Sequence, residues 1–335
     1  MSTIQEIAKK AGVSKSTVSR VINNTGLVNP KTEARIQEVI REMKYSPNEV
    51  ARTLSNKKSN VVGFIIPKAS HNFFSLLVEK VDENLAKHGY SLMIGNAFDE
   101  AETEHRILNL MRRYLVDGMI LASHTSDLSE FSEMKMPLVS FDRVVSSDVP
   151  FIESNNFEGG RLATEHLVHA GCKHLVHIAG AKQLDSPANR RGEAFESVCQ
   201  EHEVTCNTIH MGYKKFDFKD NFHLIEEMFK QYPETDGVFA SNDALGISVI
   251  KVAQKLGKRV PEDVQVVGYD DVEIAQLTNP ELTTIRQSTD KIAEALVENV
   301  VCQIEKKPIE THITIPVELI KRGSTKDAVQ KENAR

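Results

Sequence analysis

Apolar residues in the first 45 positions recur at helical spacing. Ile4, Ile7 and Ala8 stand at i, i+3, i+4; Val18, Val21 and Ile22 form a second stripe; Ile36, Val39, Ile40 and Met43 form a third. Suitable polar residues precede each stripe. Thr3 and Glu6 have the spacing of a capping box, in which a hydroxyl and a carboxylate each satisfy one orphan backbone N–H. Ser14 caps a second helix over 15 to about 23, and Asn29 with Pro30 at the first helical position opens a third that ends at Lys44-Tyr45. Gly12, in the connection Ala11-Gly12-Val13-Ser14, fits a helix end that needs positive φ. The second helix carries Lys15, Ser16, Thr17, Ser19 and Arg20 on the face away from its apolar stripe. Two short helices at a tight turn, the second with a free polar face, predict a helix-turn-helix that enters the major groove of DNA. Two ordinary surface helices are the plainer alternative, and the agreement of caps, turn and stripes argues against it.

Beyond position 45 the pattern changes twice. Ser46-Pro47-Asn48-Glu49 has capping-box spacing, with proline at the first helical position, and starts a helix over 50–55. A helix of that length is not stable alone in water, so it is expected to form only when something docks it. Lys57-Lys58-Ser59-Asn60 then reads as a polar linker. From there, continuous apolar runs predict strands over 61–67, 90–95, 116–121, 137–141, 174–180, 237–240 and 265–269. Amphipathic stretches predict helices over 73–88, 102–114, 159–170, 191–202, 222–231 and 244–256. Strict alternation of the two is the signature of α/β folding, here a doubly wound parallel sheet made twice. The expected organisation is a head over 1–45, a hinge helix and linker over 46–59, a two-lobed body over 60–324 and a polar tail over 325–335. Within the body, the N-lobe is expected to hold 60–154 plus 288–315 and the C-lobe 155–287 plus 316–324.

Composition narrows the class. A chain that is 40% hydrophobic and 26% charged is ordinary for a globular protein. It has no apolar run of membrane-spanning length, and the polar start from Ser2 does not resemble an export signal, so a cytoplasmic location is expected. The net charge of −6 is unevenly placed: residues 1–60 carry +6 and the remainder −12. A basic head on an acidic body suits phosphate contact at one end only. Cys172, Cys199, Cys206 and Cys302 have no metal or redox spacing and read as reduced thiols. His166 and His169 share a helix face at i, i+3, but with no further ligand nearby they read as part of a solvated face. Gly-x-Ser-x-Gly, P-loop and His-Glu-x-x-His motifs are all missing, so neither an enzyme nor a cofactor or metal is expected.

Ligands of doubly wound sheets bind outside the carboxyl ends of the strands. Ser70-His71-Asn72-Phe73-Phe74, Asp142-Arg143, Asn242-Asp243 and Asp270-Asp271 each follow a predicted strand. Any one of them could be a helix cap or a loop acid; their shared placement makes them site candidates.

Several of these stretches resemble the lactose/galactose repressor (LacI/GalR) family of transcriptional regulators. The head and hinge match in Ile7-Ala8, Ala11-Gly12-Val13-Ser14, Thr17-Val18-Ser19-Arg20-Val21-Ile22-Asn23, Tyr45-Ser46-Pro47-Asn48 and Ala51-Arg52-Thr53-Leu54. The body matches in Val260-Pro261-Glu262-Asp263, Leu282-Thr283-Thr284-Ile285-Arg286-Gln287 and Lys321-Arg322-Gly323-Ser324, so the resemblance covers nearly the whole chain. It implies a periplasmic-binding-protein-like body and a homodimer on palindromic operator DNA, with paired hinge helices in the minor groove and Leu54 as the wedge that opens a central base step. DNA contacts are implied for Lys15, Ser16, Thr17, Ser19, Arg20, Asn23, Asn48, Ala51, Arg52 and Leu54. Effector contacts are implied for His71, Phe73, Asp142, Arg191, Phe216, Asn242, Asp270 and Gln287. Ala194 stands where the family has glycine before the aromatic Phe195, which leaves Arg190 as the alternative to Arg191. The polar tail has no heptad repeat, so a dimer rather than a larger assembly is expected.

Local phrasing in the body is similar to that of sucrose- and ribose-operon regulators. The expected function is a repressor of a carbohydrate-utilisation operon whose cleft binds a sugar or sugar phosphate. The alternatives are a carbon-catabolite regulator with a phosphorylated carrier protein as corepressor, and a sugar-binding transport protein.

Overall fold

The computed structural model describes residues 3–23, 25–45, 58–98, 100–123, 131, 135–181, 186–212 and 218–327, the side chains of 23 and 218–220 excepted. The hinge residues Asn48, Ala51, Arg52 and Leu54, the aromatic Phe216 and the last eight residues of the tail lie outside the described residues, as does the side chain of Asn23. The chain divides into two compact units, Met1–Ser59 and Asn60–Arg335.

The first unit has three helices among its described residues: α1 (Ile4–Ala11), α2 (Lys15–Asn23) and α3 (Pro30–Glu42). The Thr3 hydroxyl accepts from Glu6 N–H (3.3 Å), and the Glu6 carboxylate accepts from Thr3 N–H (2.8 Å). Gly12 ends α1 at φ 64, the left-handed conformation that glycine adopts without penalty. Asn29 caps α3 by accepting from Lys31 N–H (3.0 Å). Ile7, Ala8, Ala11, Val18, Ile36 and Val39 form the core, with Ile4, Val21, Ile22, Ile40, Met43 and Tyr45 packed around it.

Among its described residues the second unit contains two six-stranded sheets. The strands are β1 (Val61–Ile66), β2 (Ser91–Asn96), β3 (Gly118–Leu121), β4 (Leu138–Phe141), β5 (Phe151–Ser154), β6 (His174–Ala179), β7 (Thr205–His210), β8 (Gly237–Ala240), β9 (Gln265–Asp270), β10 (Thr283–Gln287), β11 (His312–Ile315) and β12 (Val317–Ile320). One sheet runs β2-β1-β3-β4-β5-β11 and the other β7-β6-β8-β9-β10-β12, the same order repeated. All pairings are parallel except that of β12 with β10. The chain passes between lobes after β5, after β10 and between β11 and β12.

The helices around these sheets are α4 (Asn72–Lys87), α5 (Ala101–Arg113), α6 (Asn156–His169), α7 (Arg190–Glu201), α8 (Phe218–Gln231), α9 (Asp243–Lys255) and α10 (Thr289–Ile304). Helix α6 begins before the expected Gly159 because the Asn155 side chain accepts from Glu158 N–H (3.2 Å). Helix α8 likewise begins at Phe218 rather than 222. Helix α10 and strands β5, β7, β10, β11 and β12 were not among the predicted elements. Strands β7, β11 and β12 lie at or near sheet edges with few buried residues, so they lack the continuous apolar run of a central strand. Helix α10 buries Ile292, Leu296, Val297 and Val300 in the N-lobe core. That core also takes in Val272, from the loop after β9, and Ile274 packs against the cores of both lobes. The C-lobe is thereby anchored to the N-lobe beside the strand ends.

Candidate functional site

A cavity of about 410 Å³ lies where the carboxyl ends of the strands of the two sheets face each other. His71, Phe73 and Asp142 line it from the N-lobe; Arg191, Asn242, Asp270 and Gln287 line it from the C-lobe. Seven of the eight candidate effector residues thus share one cavity. Arg190, the alternative to Arg191, is exposed, with its guanidinium carbon 5.8 Å from the Phe157 ring centroid, and does not line the cavity.

Backbone geometry aims the acids. Asp142 directly follows β4 at φ 52, and Asp270 ends β9 at φ 113. Positive φ is uncommon for a side-chain-bearing residue, and aspartate is among those that tolerate the left-handed region. The neighbours of these two acids turn elsewhere. Arg143 is buried against Glu104 (3.2 Å) and the Ser123 carbonyl (2.6 Å). Asp271 accepts from Arg286 (2.7 Å) and Arg322 (2.5 Å), which makes the Lys321-Arg322-Gly323-Ser324 stretch structural. The Ser324 hydroxyl donates to the Val266 carbonyl (2.6 Å) and accepts from Thr283 N–H (2.8 Å). Asp243 is also structural: it accepts from Thr284 Oγ1 (2.5 Å) and Val272 N–H (2.8 Å).

Arg191 is the electrostatic centre of the cavity. Its Nε donates to Asn156 Oδ1 (2.8 Å), its Nη1 donates to the Ser241 carbonyl (3.0 Å), and its guanidinium carbon lies 3.5 Å from the Tyr269 ring centroid. Gly160 permits this: a Cβ there would come within 2.3 Å of the Arg191 carbonyl oxygen, so only glycine lets α6 pack this close to α7. Asn156 also donates its Nδ2 to Asp142 Oδ1 (2.8 Å), which joins the lobes inside the cleft. Gln287 Nε2 donates to Asp270 Oδ1 (2.7 Å), leaving Gln287 Oε1 buried with no partner among the described residues.

Burial pushes the Asp142 carboxyl up to about 6, against the pull of Arg191 and the hydrogen bond from Asn156. Burial likewise pushes Asp270 up to about 7, opposed by Arg191 and the Gln287 hydrogen bond. His71 is lowered to about 4 by burial and by the charges of Lys68 and Arg191. The Phe73 ring stacks on Phe141, with centroids 5.8 Å apart, and forms an apolar wall. Asn242 serves also as a cap: its Oδ1 accepts from Leu245 N–H (2.9 Å), so its amide NH2 is what it can offer a ligand.

Sequence reasoning missed Asn156, His177, His210 and Ser241. His177 lines the cavity and donates Nδ1–H to the Phe239 carbonyl (2.9 Å); its signal was a histidine within an otherwise apolar strand. Asn156 follows β5, so recognising that short strand would have marked it by the same strand-end rule. Of the two histidines expected on a solvated helix face, His169 is exposed and packs edge-on to His202, whereas His166 is buried and shares a hydrogen bond with Thr325 (2.8 Å). Cys172, Cys199, Cys206 and Cys302 are free thiols.

On the head, Lys15, Ser16 and Arg20 are exposed on α2, while Thr17 and Ser19 are half-buried. The Ser14 hydroxyl shares hydrogen bonds with Ser16 and Thr17 (2.8 Å each) and accepts from Thr17 N–H (3.2 Å), which fixes the start of α2. Among the described residues, no helix is long and apolar enough to cross a membrane.

Residues 3–48 match the family described as bacterial regulatory proteins, lacI family, and residues 164–325 match a periplasmic binding protein-like domain. The chain is 36% identical to the ribose operon repressor of Halalkalibacterium halodurans over 335 residues, all of both chains. It is 33% identical to the sucrose operon repressor of Streptococcus mutans over 95% of this chain and 97% of that one. In fold it is similar to the Lac repressor dimer bound to operator and the anti-inducer ONPF, with a TM-score of 0.87 and 24% identity over 96% of this chain and 98% of that chain. Identity of this extent over the full length, together with the matched head, places the chain in the family: it belongs to the lacI family of bacterial regulatory proteins.

Proposed function

We propose that this chain is a sequence-specific transcriptional repressor of a carbohydrate-utilisation operon, controlled by a sugar bound between the lobes. The observation that carries the sensing half is the cleft itself, where Asp142 from one lobe and Arg191, Asp270 and Gln287 from the other face one cavity beside the Phe73 wall. Carboxylates accept from pairs of hydroxyls, a guanidinium donates to them, and an aromatic wall covers the apolar face of a sugar ring. The relatives named for ribose and sucrose operons agree with that chemistry. Lys15, Ser16 and Arg20 read bases, while Thr17 and Ser19 hold phosphates. We assign the protein to the cytoplasm, where its operator lies, and give the cleft a binding rather than a catalytic role.

The repressor acts as a homodimer on a palindromic operator. A candidate dimer face surrounds the edge strand β2, where Ile94, Phe98, Leu110, Tyr114 and Leu115 are all about half exposed or more. An apolar patch of this kind marks an interaction surface. The test is a thermal-shift screen of free sugars and sugar phosphates, because a ligand that binds only the folded state raises its stability by mass action. Compounds that raise the melting temperature are then titrated against operator binding. A stabilising sugar that also changes operator affinity supports the proposal; a sugar that binds without changing it refutes the sensing role.

A further inference from the structure

We infer that the effector is an uncharged polyol rich in hydrogen-bond donors, and that this cleft rejects a phosphorylated sugar; the inference rests on the reading of the cleft as the sensor. Charge is the first argument. Asp142, Asp270, Glu193 and Glu196 line the cavity, against two cations, Lys68 and Arg191. Two of the three cavity histidines do not redress the balance near neutral pH: His71 and His177 are each lowered to about 4, chiefly by burial.

The state of Arg191 is the second argument. Its Nε is used by Asn156, its Nη1 by the Ser241 carbonyl, and its flat face by the Tyr269 ring. Two of its five N–H groups are thus committed, and with Nε taken the side-on fork of Nε and Nη2 is closed to the bidentate grip that phosphate takes, while the three remaining N–H groups can still donate singly to hydroxyls. Two helix starts at the cleft have spent backbone donors on side chains: Asn242 takes Leu245 N–H, and Ser186 takes Ala188 N–H (3.3 Å). Fewer N–H groups therefore remain for an anion.

The third argument is the surplus of acceptors. Gln287 Oε1 is buried without a partner among the described residues. Asp142 and Asp270 each have one oxygen engaged by a side-chain amide and a second that accepts from no described residue. His177, with its Nδ1–H given to a carbonyl, presents Nε2 as an acceptor. Buried acceptors are costly until something donates to them, and sugar hydroxyls donate. A phosphate dianion has no proton to give to the acceptors of Asp142, Asp270 and Gln287.

The test is titration calorimetry of the full chain at pH 7.5 with matched pairs: D-ribose and D-ribose 5-phosphate, sucrose and sucrose 6-phosphate, D-fructose and D-fructose 1-phosphate, with inorganic phosphate alone as a further probe. The expected result is that every pair that binds does so at least about tenfold more tightly as the free sugar. A Glu193→Gln/Glu196→Gln variant, altered only at exposed positions, should narrow that gap. An ester that binds as tightly as its sugar, or inorganic phosphate that competes with the sugar, overturns the inference and leaves the sensor reading intact. If no member of any pair binds, the sensor reading fails and this inference fails with it.

Discussion

Asp142 of the N-lobe and Arg191 of the C-lobe share one partner: Asn156 donates to the first at 2.8 Å and accepts from the second at 2.8 Å. Both outer residues line the cavity between the lobes, so Asn156 ties the lobes together at the point where a ligand of this cavity would sit. A ligand that changes the geometry of either end changes the lobe–lobe bridge, and the coupling to DNA must be reciprocal.

Asn156→Ala removes that bridge. The variant should still bind operator and sugar, but the change in operator affinity on adding sugar should shrink by about 0.5–2 kcal/mol, the range found for residues along a coupling network. Operator titrations with and without saturating sugar measure this. An undiminished response would mean that the lobes are coupled elsewhere.

The cleft acids and the buried histidines act on the pH dependence of the body in opposite directions. Asp142 is raised to about 6 and Asp270 to about 7, so the folded chain holds protons that the unfolded chain releases, and stability is lost as pH rises from about 4 to 7. His71, His166 and His177 are each lowered to about 4, so they cost stability as pH falls below about 6.5. In the parent chain these terms offset. An Asp142→Asn/Asp270→Asn variant loses the contribution of these two acids and keeps the histidine term. Its stability relative to the parent should therefore increase between pH 5 and pH 7.5, by at least about 1 kcal/mol. Urea unfolding at both values checks the sign; a variant that loses stability relative to the parent as pH rises contradicts it.

The patch around β2 gives a separate prediction. Leu110 is 48% exposed and Tyr114 62%, so Leu110→Asp/Tyr114→Asp should not disturb the monomer fold. It should shift the chain to a monomer in sedimentation velocity and weaken operator binding by more than tenfold, because two heads joined together bind as one unit. A variant that remains dimeric would place the interface elsewhere.

In the head, Ser16 is exposed on α2 while Ser19 is half-buried. Replacing Ser16 should change base preference at one operator position, whereas Ser19→Ala should weaken all operators alike. Binding selection from a randomised operator distinguishes the two; Ser16 variants with the parent's preference throughout would remove Ser16 from the reading set.

The legible parts of the sequence were those governed by local rules. Caps and stripes are local, so α1, α2 and α3 could be placed from Thr3, Gly12, Ser14 and Asn29. Central strands carry continuous apolar runs, so β1, β3, β4 and β8 and the candidates at their ends could be placed as well. Edge strand β7, with no fully buried residue, carried no such run. Asn156 was hidden for a different reason. Next to the cap Asn155, it looks like an ordinary first helical residue, and its role exists only because β5 ends opposite Asp142 while Gly160 brings Arg191 within reach. Asp142 and Arg143 show the same limit: both follow β4, yet one faces the cavity and the other a buried glutamate.

The cleft as the sensor is tested most directly by operator affinity of the parent and of Asp270→Ala, each with and without a saturating concentration of a sugar that binds the parent. Asp270 lies at the end of β9 in the second unit, among the residues that line the cavity. The parent's affinity should change on adding sugar, and that of Asp270→Ala should stay at its sugar-free value. A variant whose operator affinity still changes like the parent's at the same sugar concentration would show that the signal does not come from this cleft.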